Sequence, residues 1–155
     1  MSWFVVNARD ARWRANELGA FCTFEENGLF PDLGINLELL EPGQPNGMYH
    51  REGSQEDFLV LAGECLLLIE GEERRLRQWD FVHCPPETDH IFVGAGEGPC
   101  LLLATGKRPS GGVVYPVSEL ARKHGASVER ETTSPAEAYA SYSPDADAPC
   151  PRLPW

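Results

Sequence analysis

The chain has 155 residues, of which 42% are hydrophobic and 24% are charged, and this composition indicates one globular domain and excludes a disordered chain. The formal net charge of −11 argues against a surface for nucleic acids or anionic membranes, because both require a basic patch. No apolar run approaches the roughly 20 residues of a membrane helix, and the N-terminus has no signal-peptide pattern.

The cysteines indicate a reducing compartment. Their number is odd, and no two of them form a C-x-x-C pair. Without an export signal, we expect reduced thiols in a cytoplasmic protein, several of them core residues. The five cysteines are Cys22, Cys65, Cys84, Cys100 and Cys150.

The predicted elements divide the chain into three parts. In residues 1–34, the runs WFVV and AFCTF are candidate strands that pack on the barrel or on a dimer partner. Residues 35–106 hold short apolar runs separated by Gly and Pro turns, which is typical of antiparallel strands in a sandwich or barrel. Gly71 in IEGEE predicts a tight hairpin. The spacing therefore predicts an all-β core.

The remaining part, residues 107–155, has a different pattern. Ser118 is a candidate N-cap for a short helix, SELARKH, which Gly125 would end. Ser134, Pro135 and Glu137 form a capping-box pattern for a second helix. The Pro-rich and Asp-rich tail SPDADAPCPRLPW is expected to be extended or poorly ordered. We predict a C-terminal extension with short helices.

Two histidines and one glutamate form a candidate metal site. His50 ends the run MYH, Glu56 begins the run EDFLVL after a short loop, and His90 directly precedes the run IFV. If the first two runs pair as a hairpin, His50 and Glu56 face each other across it. Two imidazoles and a carboxylate suit Zn, Fe, Mn or Ni, and they leave positions open for water or substrate.

The same residues carry a resemblance to the cupin superfamily. Its first motif reads G-x5-H-x-H-x3,4-E-x6-G. In this chain Gly43 lies near the expected start, His50 takes the place of the second histidine, and Glu56 is followed at the required distance by Gly63. The first histidine is replaced by Met48, and the gap from His50 to Glu56 is one residue longer than in the motif.

The second cupin motif, G-x5-P-x-G-x2-H-x3-N, is matched in part. Pro85 and His90 take the places of its proline and histidine, whereas Trp79, Glu87 and Gly94 replace the first glycine, the second glycine and the asparagine. The resemblance implies a cupin or jelly-roll β-barrel over roughly residues 35–105. It implies three metal ligands rather than four: His50, Glu56 and His90.

Several residues near the motifs are candidate pocket residues, and more than one role is open for some of them. Met48 either leaves a free coordination position or lines the pocket, since a thioether is a poor ligand for hard divalent metals. Glu52 competes with Glu56 as the carboxylate. Tyr49, His83 and Glu52 are candidate general bases. His83 could otherwise support a ligand or be a fourth ligand, but we expect a buried, hydrogen-bonded histidine at this position. Phe92 is expected in the core or the pocket wall.

These residues leave the activity open. An enzyme would use the metal as a Lewis acid, as an isomerase or epimerase does, or would activate dioxygen with iron as a non-haem dioxygenase does. A binding module would hold a small polar organic molecule without turnover. The alternative is a metal-free binding or structural cupin with a vestigial site. The resemblance also implies a homodimer formed through sheet edges.

Overall fold

The computed structural model describes residues 3–26 and 28–153. This part of the chain forms twelve strands and two short helices. The strands are β1 (Trp13–Asn16), β2 (Gly19–Cys22), β3 (Leu33–Leu40), β4 (Arg51–Glu52), β5 (Glu56–Ala62), β6 (Glu64–Ile69), β7 (Glu72–Arg77), β8 (Phe81–Cys84), β9 (His90–Ala95), β10 (Cys100–Lys107), β11 (Val113–Val114) and β12 (Ala146–Ala148). The helices are α1 (Glu119–Arg122) and α2 (Pro135–Ala138). The prediction of an all-β fold with short C-terminal helices is confirmed.

Antiparallel sheets face each other across one core. The larger sheet has the strand order β12-β1-β2-β3-β10-β5-β8, and the smaller has the order β7-β6-β9. A third pair, β11-β4, is separate from both. The segment between β3 and β5 follows β9, since Pro45 bridges Val93 and His50 bridges His90. This arrangement encloses a barrel.

The barrel interior is filled by side chains from strands of both sheets. On β5, Phe58 and Val60 point inward, and Glu56 shares their face because strand side chains alternate. Away from Glu56, the barrel is filled by a cluster of apolar side chains. It contains Leu40, Phe58, Val60, Cys65, Leu67, Val82, Cys84, Phe92, Cys100, Leu102 and Ala104. Polar inward-facing side chains are therefore confined to the opposite end of the barrel.

The predicted turn and helix caps are present. Glu70 and Gly71 both have positive φ in the β6–β7 hairpin, as a tight two-residue connection requires. The hydroxyl of Ser118 accepts the N–H of Ala121 at 3.1 Å. The hydroxyl of Ser134 accepts the N–H of Glu137 at 3.3 Å. These local contacts confirm both helix starts.

The chain ends differ from expectation in two places. The sequence WFVV lies outside the strands, while Ala20–Cys22 of AFCTF lie in β2. The tail is extended as predicted, but part of it is ordered against the sheet, because β12 pairs with β1. Leu153 is buried with Trp13 in a second apolar cluster. No helix in residues 3–26 and 28–153 is both long and apolar enough to cross a membrane.

Candidate metal centre and cavity

A cavity of about 270 Å³ occupies the polar end of the barrel. Strands β3, β4, β5, β9 and β10 contribute to its wall, together with the loop after β10 and the end of α2. Its polar lining residues are Asn36, Glu38, Asn46, His50, Glu52, Glu56, His90, Thr105, Lys107, Arg108, Ser110 and Tyr139. A groove of about 430 Å³ lies next to it and shares three wall residues, Glu38, Asn46 and Tyr139.

The folding of the barrel brings His50, Glu56 and His90 together in this cavity. One ligand atom from each of the three lies within 4.8 Å of the other two. The His90 Nε2 is 3.5 Å from the Glu56 Oε2, and the ring centres of the two histidines are 4.9 Å apart. Glu56 is the first residue of β5, and His90 is the first residue of β9. Three groups that are distant in sequence thus meet at one point.

The predicted hairpin between the run containing His50 and β5 is wrong. His50 exchanges two backbone hydrogen bonds with His90, at 3.1 and 2.8 Å. Strand β5 pairs instead with β10 and β8. His50 and Glu56 therefore approach each other across the barrel interior rather than along one ladder. The loop between them crosses from one sheet to the other.

Backbone carbonyls orient both imidazoles. The His50 Nδ1 is 2.9 Å from the carbonyl oxygen of Met48, and the His90 Nδ1 is 3.0 Å from that of Thr88. Because a carbonyl oxygen only accepts, each Nδ1 carries the proton and donates it. Each Nε2 then keeps its lone pair. The observed His90 Nε2 contact with Glu56 places this lone pair on the cavity side.

Aromatic rings fix the same imidazoles from the side. Phe58 meets the ring of His90 edge-on at a centroid distance of 5.4 Å. Tyr115 lies 5.9 Å from the ring of His50. The His90 side chain is only 2% exposed. The two rings therefore have little freedom to turn out of the cavity.

Burial shifts the pKa values of all three groups toward their neutral forms. Burial, together with the neighbouring carboxyl groups of Glu52 and Glu38, raises the pKa of Glu56 to about 8. Burial, together with the neighbouring His90, lowers the pKa of His50 to about 4. Burial also lowers the pKa of His90. At pH 7 both imidazoles are neutral, as metal ligands must be.

The donor set fits a divalent transition metal. Neutral imidazole nitrogens and a carboxylate oxygen are ligands of Zn, Fe, Mn and Ni. Two atoms that bind one ion at about 2.0–2.2 Å are at most about 4.4 Å apart, so small side-chain rotations bring the three groups to one ion. The Nδ1 hydrogen bonds of His50 and His90 match the carbonyl contacts that commonly orient metal-bound histidines.

Of the other candidate pocket residues, Glu52 lines the cavity. Met48 is buried against Tyr115, Val128 and Ala138, at the contact between the barrel and the C-terminal extension. Its side chain therefore serves packing with that extension. Three protein side chains, rather than four, are gathered at this point in the described part of the chain.

Tyr49 and Phe92 are buried in apolar clusters. Tyr49 packs between β9 and α1, and its hydroxyl accepts the N–H of Gly71 at 3.3 Å. Phe92 belongs to the barrel core, where its ring centre is 4.6 Å from that of Phe58. Phe92 therefore supports the floor below the two imidazoles. Tyr49 lies on the opposite face of β9 from that core.

His83 is placed outside the barrel. It follows Val82 and precedes Cys84, which are both core residues, so its side chain points to the other face of β8. It is half exposed, and its Nδ1 is 2.6 Å from Asp57. The interpretation of His83 as a fourth ligand is therefore wrong, and so is the expectation that it is buried. The predicted hydrogen bond of His83 is present, but it joins the ring to Asp57 at the protein surface.

Glu38 also lines the cavity, although it was not among the site residues predicted from the sequence. The amide of Asn46 donates to Glu38 Oε2 at 2.7 Å, and Asn46 itself accepts the backbone N–H of Phe92 at 3.0 Å. Burial raises the pKa of Glu38. A signal was present: in the run INLELL, Asn36 and Glu38 alternate with leucines, which places both polar residues on one face of β3.

Comparisons with known proteins agree with this architecture. A family model described as the cupin domain matches residues 36–106. A provisionally named sugar phosphate isomerase from Acidithiobacillus ferrooxidans is 25% identical, with 65% of this chain and 62% of that chain covered and a TM-score of 0.54. This chain thus spans less than two thirds of that relative. No curated protein matches.

Two further solved structures share the fold. A sugar phosphate isomerase from a cupin superfamily, from Silicibacter pomeroyi, is 24% identical, covers 69% of this chain and 65% of its own, and has a TM-score of 0.54. The polyketide cyclase RemF from Streptomyces resistomycificus is 13% identical, covers 72% of this chain and 84% of its own, and has a TM-score of 0.63. Residues 36–106 thus match the cupin domain, and the barrel has the fold of the cupin-superfamily structures.

Proposed function

We propose that the chain binds one divalent transition metal ion through His50, Glu56 and His90, and that its barrel cavity takes up a small polar organic molecule. The convergence of the three ligand atoms within 4.8 Å is the observation that carries the proposal. Zn, Fe, Mn and Ni all accept this donor set.

The residues around the site have distinct roles in the proposal. The carbonyls of Met48 and Thr88 hold the imidazoles in the tautomer that presents Nε2 to the ion. Phe58 and the apolar core below exclude water from one side. A bound ion with three protein ligands would act as a Lewis acid toward a substrate oxygen. Glu52 and Glu38 line the same cavity and are candidates to hold or move a proton.

The ligand of the cavity is expected to be small. About 270 Å³ lies near the lower end of the range for small-molecule sites. The lining mixes amide, hydroxyl and carboxyl groups, which favours a ligand that forms several hydrogen bonds. The name of the Acidithiobacillus relative, a sugar phosphate isomerase, favours a carbohydrate-like compound. Isomerisation of such a ligand would make the chain an isomerase-like enzyme.

Separate calorimetric titrations of chelator-treated protein with Zn²⁺, Fe²⁺, Mn²⁺ and Ni²⁺ test the metal site. We expect one ion per chain and, at pH 7, release of about one proton per ion, because Glu56 with a pKa of about 8 is mostly protonated before the ion binds. The neutral histidines release none. Affinity should rise about tenfold per pH unit up to about pH 8 and then level off. Two buffers of different ionisation enthalpy give the proton count.

Two results would contradict the proposal. Absence of saturable binding for each of the four metals would leave a metal-free cupin, the alternative function. Binding that the Glu56→Ala variant retains at full strength would place the ion elsewhere. An affinity that does not change between about pH 6 and pH 8 would instead show that Glu56 is not protonated before the ion binds.

We also propose a homodimer that forms through the edge of β8. In residues 3–26 and 28–153 this strand pairs with β5 alone, and it carries the exposed Phe81 next to the exposed Trp79. Phe81→Glu should raise the dimer dissociation constant at least about tenfold, because a buried interface aromatic is replaced by a charge. Sedimentation equilibrium measures it. Leu29→Glu, at an exposed site between β2 and β3, is the control, and a monomeric wild type would refute the dimer.

The cysteines support a cytoplasmic location. All five are free thiols, and four of them are buried in the apolar clusters. Buried unpaired thiols persist best in a reducing compartment. We therefore propose the cytoplasm for this protein.

A further inference from the structure

Two glycines leave space in the wall at the polar end of the barrel. Gly34 of β3 and Gly106 of β10 are paired opposite each other, and both line the cavity. A Cβ at Gly106 would lie 3.7 Å from the Cγ of Glu56, and a Cβ at Gly34 would lie 3.1 Å from the Nη2 of Arg108. Because the Cα atoms of paired residues are only about 4.5–5.5 Å apart, a proposed metal ligand and a guanidinium flank the same space.

Arg108 is held on one side by acceptors from the segment between β2 and β3. Its Nη1 donates to Glu25 Oε1 at 2.6 Å and to the carbonyl oxygen of Phe30 at 3.2 Å, and its Nη2 donates to Glu25 Oε2 at 3.0 Å. The Glu25 side chain is only 5% exposed, so it fixes the guanidinium firmly. A guanidinium has five N–H groups. The Nε–H and the second N–H of Nη2 remain, and no residue that the structure describes accepts them.

The two remaining N–H groups lie along one edge of the Arg108 guanidinium. They are parallel, and together they form the fork that binds both oxygens of a carboxylate or a phosphate. This edge borders the space that Gly34 leaves, because a Cβ there would lie 3.1 Å from Nη2 and 3.3 Å from Nε. The Arg108 side chain is 32% exposed, so a ligand can reach the edge. The cavity wall therefore contains an oriented pair of donors.

Other charges at the cavity also act on an acidic ligand. Glu25 offsets the charge of Arg108, but it does not occupy the fork. Lys107 also lines the cavity and is exposed, and the proposed metal ion adds further positive charge. The carboxyl groups of Glu38 and Glu52 oppose an anion to the extent that they are charged, and burial raises the pKa of both. The cations attract an anion from any direction, whereas the fork also fixes its orientation.

We propose that the Nε–Nη2 edge of Arg108 binds the acidic group, a carboxylate or a phosphate, of a small polyhydroxylated ligand. The inference rests on the proposed uptake of a small polar molecule by the cavity, and it names the class of that molecule. The acidic group would lie beside Gly34, and the rest of the ligand would extend past Gly106 toward Glu56. The amide of Asn36, on the same face of β3 as Gly34, suits a hydroxyl group of the ligand.

Pairs of compounds that differ by one acidic group test the proposal. D-ribose is compared with ribose 5-phosphate, D-glucose with glucose 6-phosphate, and D-glucose with gluconate, so that phosphate and carboxylate are tested separately. Calorimetry measures each affinity on the chelator-treated protein, where no ion contributes, and on the zinc-loaded protein. We expect at least one acid to bind the chelator-treated protein about tenfold or more tightly than its neutral partner, because charge-assisted bidentate hydrogen bonds are strong.

Gly34→Ala tests the fork while the charge of Arg108 stays. Its methyl group would lie against Nη2 and Nε, and the contacts with Glu25 and Phe30 keep the guanidinium from moving away. We expect the acid-to-neutral affinity ratio to fall about fivefold or more. Gly34 lies in β3 without a positive φ, so alanine suits its backbone. Gly98→Ala is the matched control, since a Cβ there would meet no atom within 4 Å, and it should leave the ratio unchanged.

Two further variants separate the fork from charge alone. Arg108→Lys keeps a cation but removes the parallel donors, so the ratio should fall about fivefold or more. Lys107→Gln removes an exposed cation that solvent screens, and the ratio should fall less than about threefold. The same calorimetric titrations of the chelator-treated protein measure both variants.

The outcomes separate this inference from the metal proposal. Acids that bind no more tightly than their neutral partners in every pair, or that do not bind at all, would overturn the inference. A ratio that stays unchanged in Gly34→Ala or in Arg108→Lys, or that falls as far in Lys107→Gln, would place the acidic group away from the fork and would also overturn it. A protein that takes up no zinc would refute the metal site alone, because the chelator-treated series measures the ratio without an ion.

Discussion

Replacing His90 with alanine is expected to lower the affinity for Zn²⁺ by more than about 100-fold, the upper range for loss of a group that merely supports a ligand. His90 is buried, its Nδ1 is held by the carbonyl of Thr88, and its Nε2 is the atom nearest to Glu56. Removing the ring leaves two ligands, which cannot complete the donor set. Competition with a chromophoric zinc chelator measures the change.

His83→Ala is the matched control for this experiment. It removes an imidazole that is also hydrogen-bonded to a carboxylate, that of Asp57, but on the outer face of β8. Its zinc affinity should stay within about twofold of the wild type, as expected for a surface substitution away from the site. If His83→Ala lost as much affinity as His90→Ala, the ion would be bound at the surface and not in the barrel.

Phe92→Ala is expected to lower the free energy of unfolding by about 3–5 kcal/mol, the range for deleting a buried aromatic ring. Phe92 is fully buried, packs on Phe58 at 4.6 Å and lies 6.2 Å from the ring of His90. The cavity left behind would lie directly below the metal ligands. Urea unfolding of the metal-free protein, at a concentration too low for self-association, measures the loss.

Phe81→Ala provides the comparison for the core substitution. Phe81 is 64% exposed on the edge strand β8, so its removal from a monomer should change the free energy of unfolding by less than about 0.5 kcal/mol. Equal losses at the two positions would show that Phe92 does not belong to a close-packed core. The prediction of its role beneath the imidazoles would then be wrong.

Features that depend on a few adjacent residues were predictable from the sequence. The Glu70–Gly71 turn needs a positive φ at both positions, and glycine supplies one of them without steric cost. The caps at Ser118 and Ser134 need only a hydroxyl near a free backbone N–H. Alternation along β5 likewise places Glu56 on the face of Phe58. Each of these features depends only on residues that are close together in the sequence.

The neighbours of each strand were harder to predict. The loop after His50 is short enough for a hairpin, yet His50 bridges His90, 40 positions further along the chain. Strand pairing of this kind depends on long-range closure of the barrel, which alternation alone does not specify. For the same reason, the sequence did not indicate that Tyr139, at the end of α2, lines the cavity. Its hydroxyl accepts the N–H of Met48 at 3.1 Å.

The C-terminal strand β12 has a consequence for assembly. It forms one border of the seven-stranded sheet, extends over only three residues, and carries Asp147, whose carboxylate is bound by Arg12. A short edge strand whose charged residue is already paired is a poor template for another strand. Strand addition at this border of the seven-stranded sheet is therefore disfavoured. In the proposed dimer, which uses the opposite border at β8, this sheet would offer no free template to a further copy.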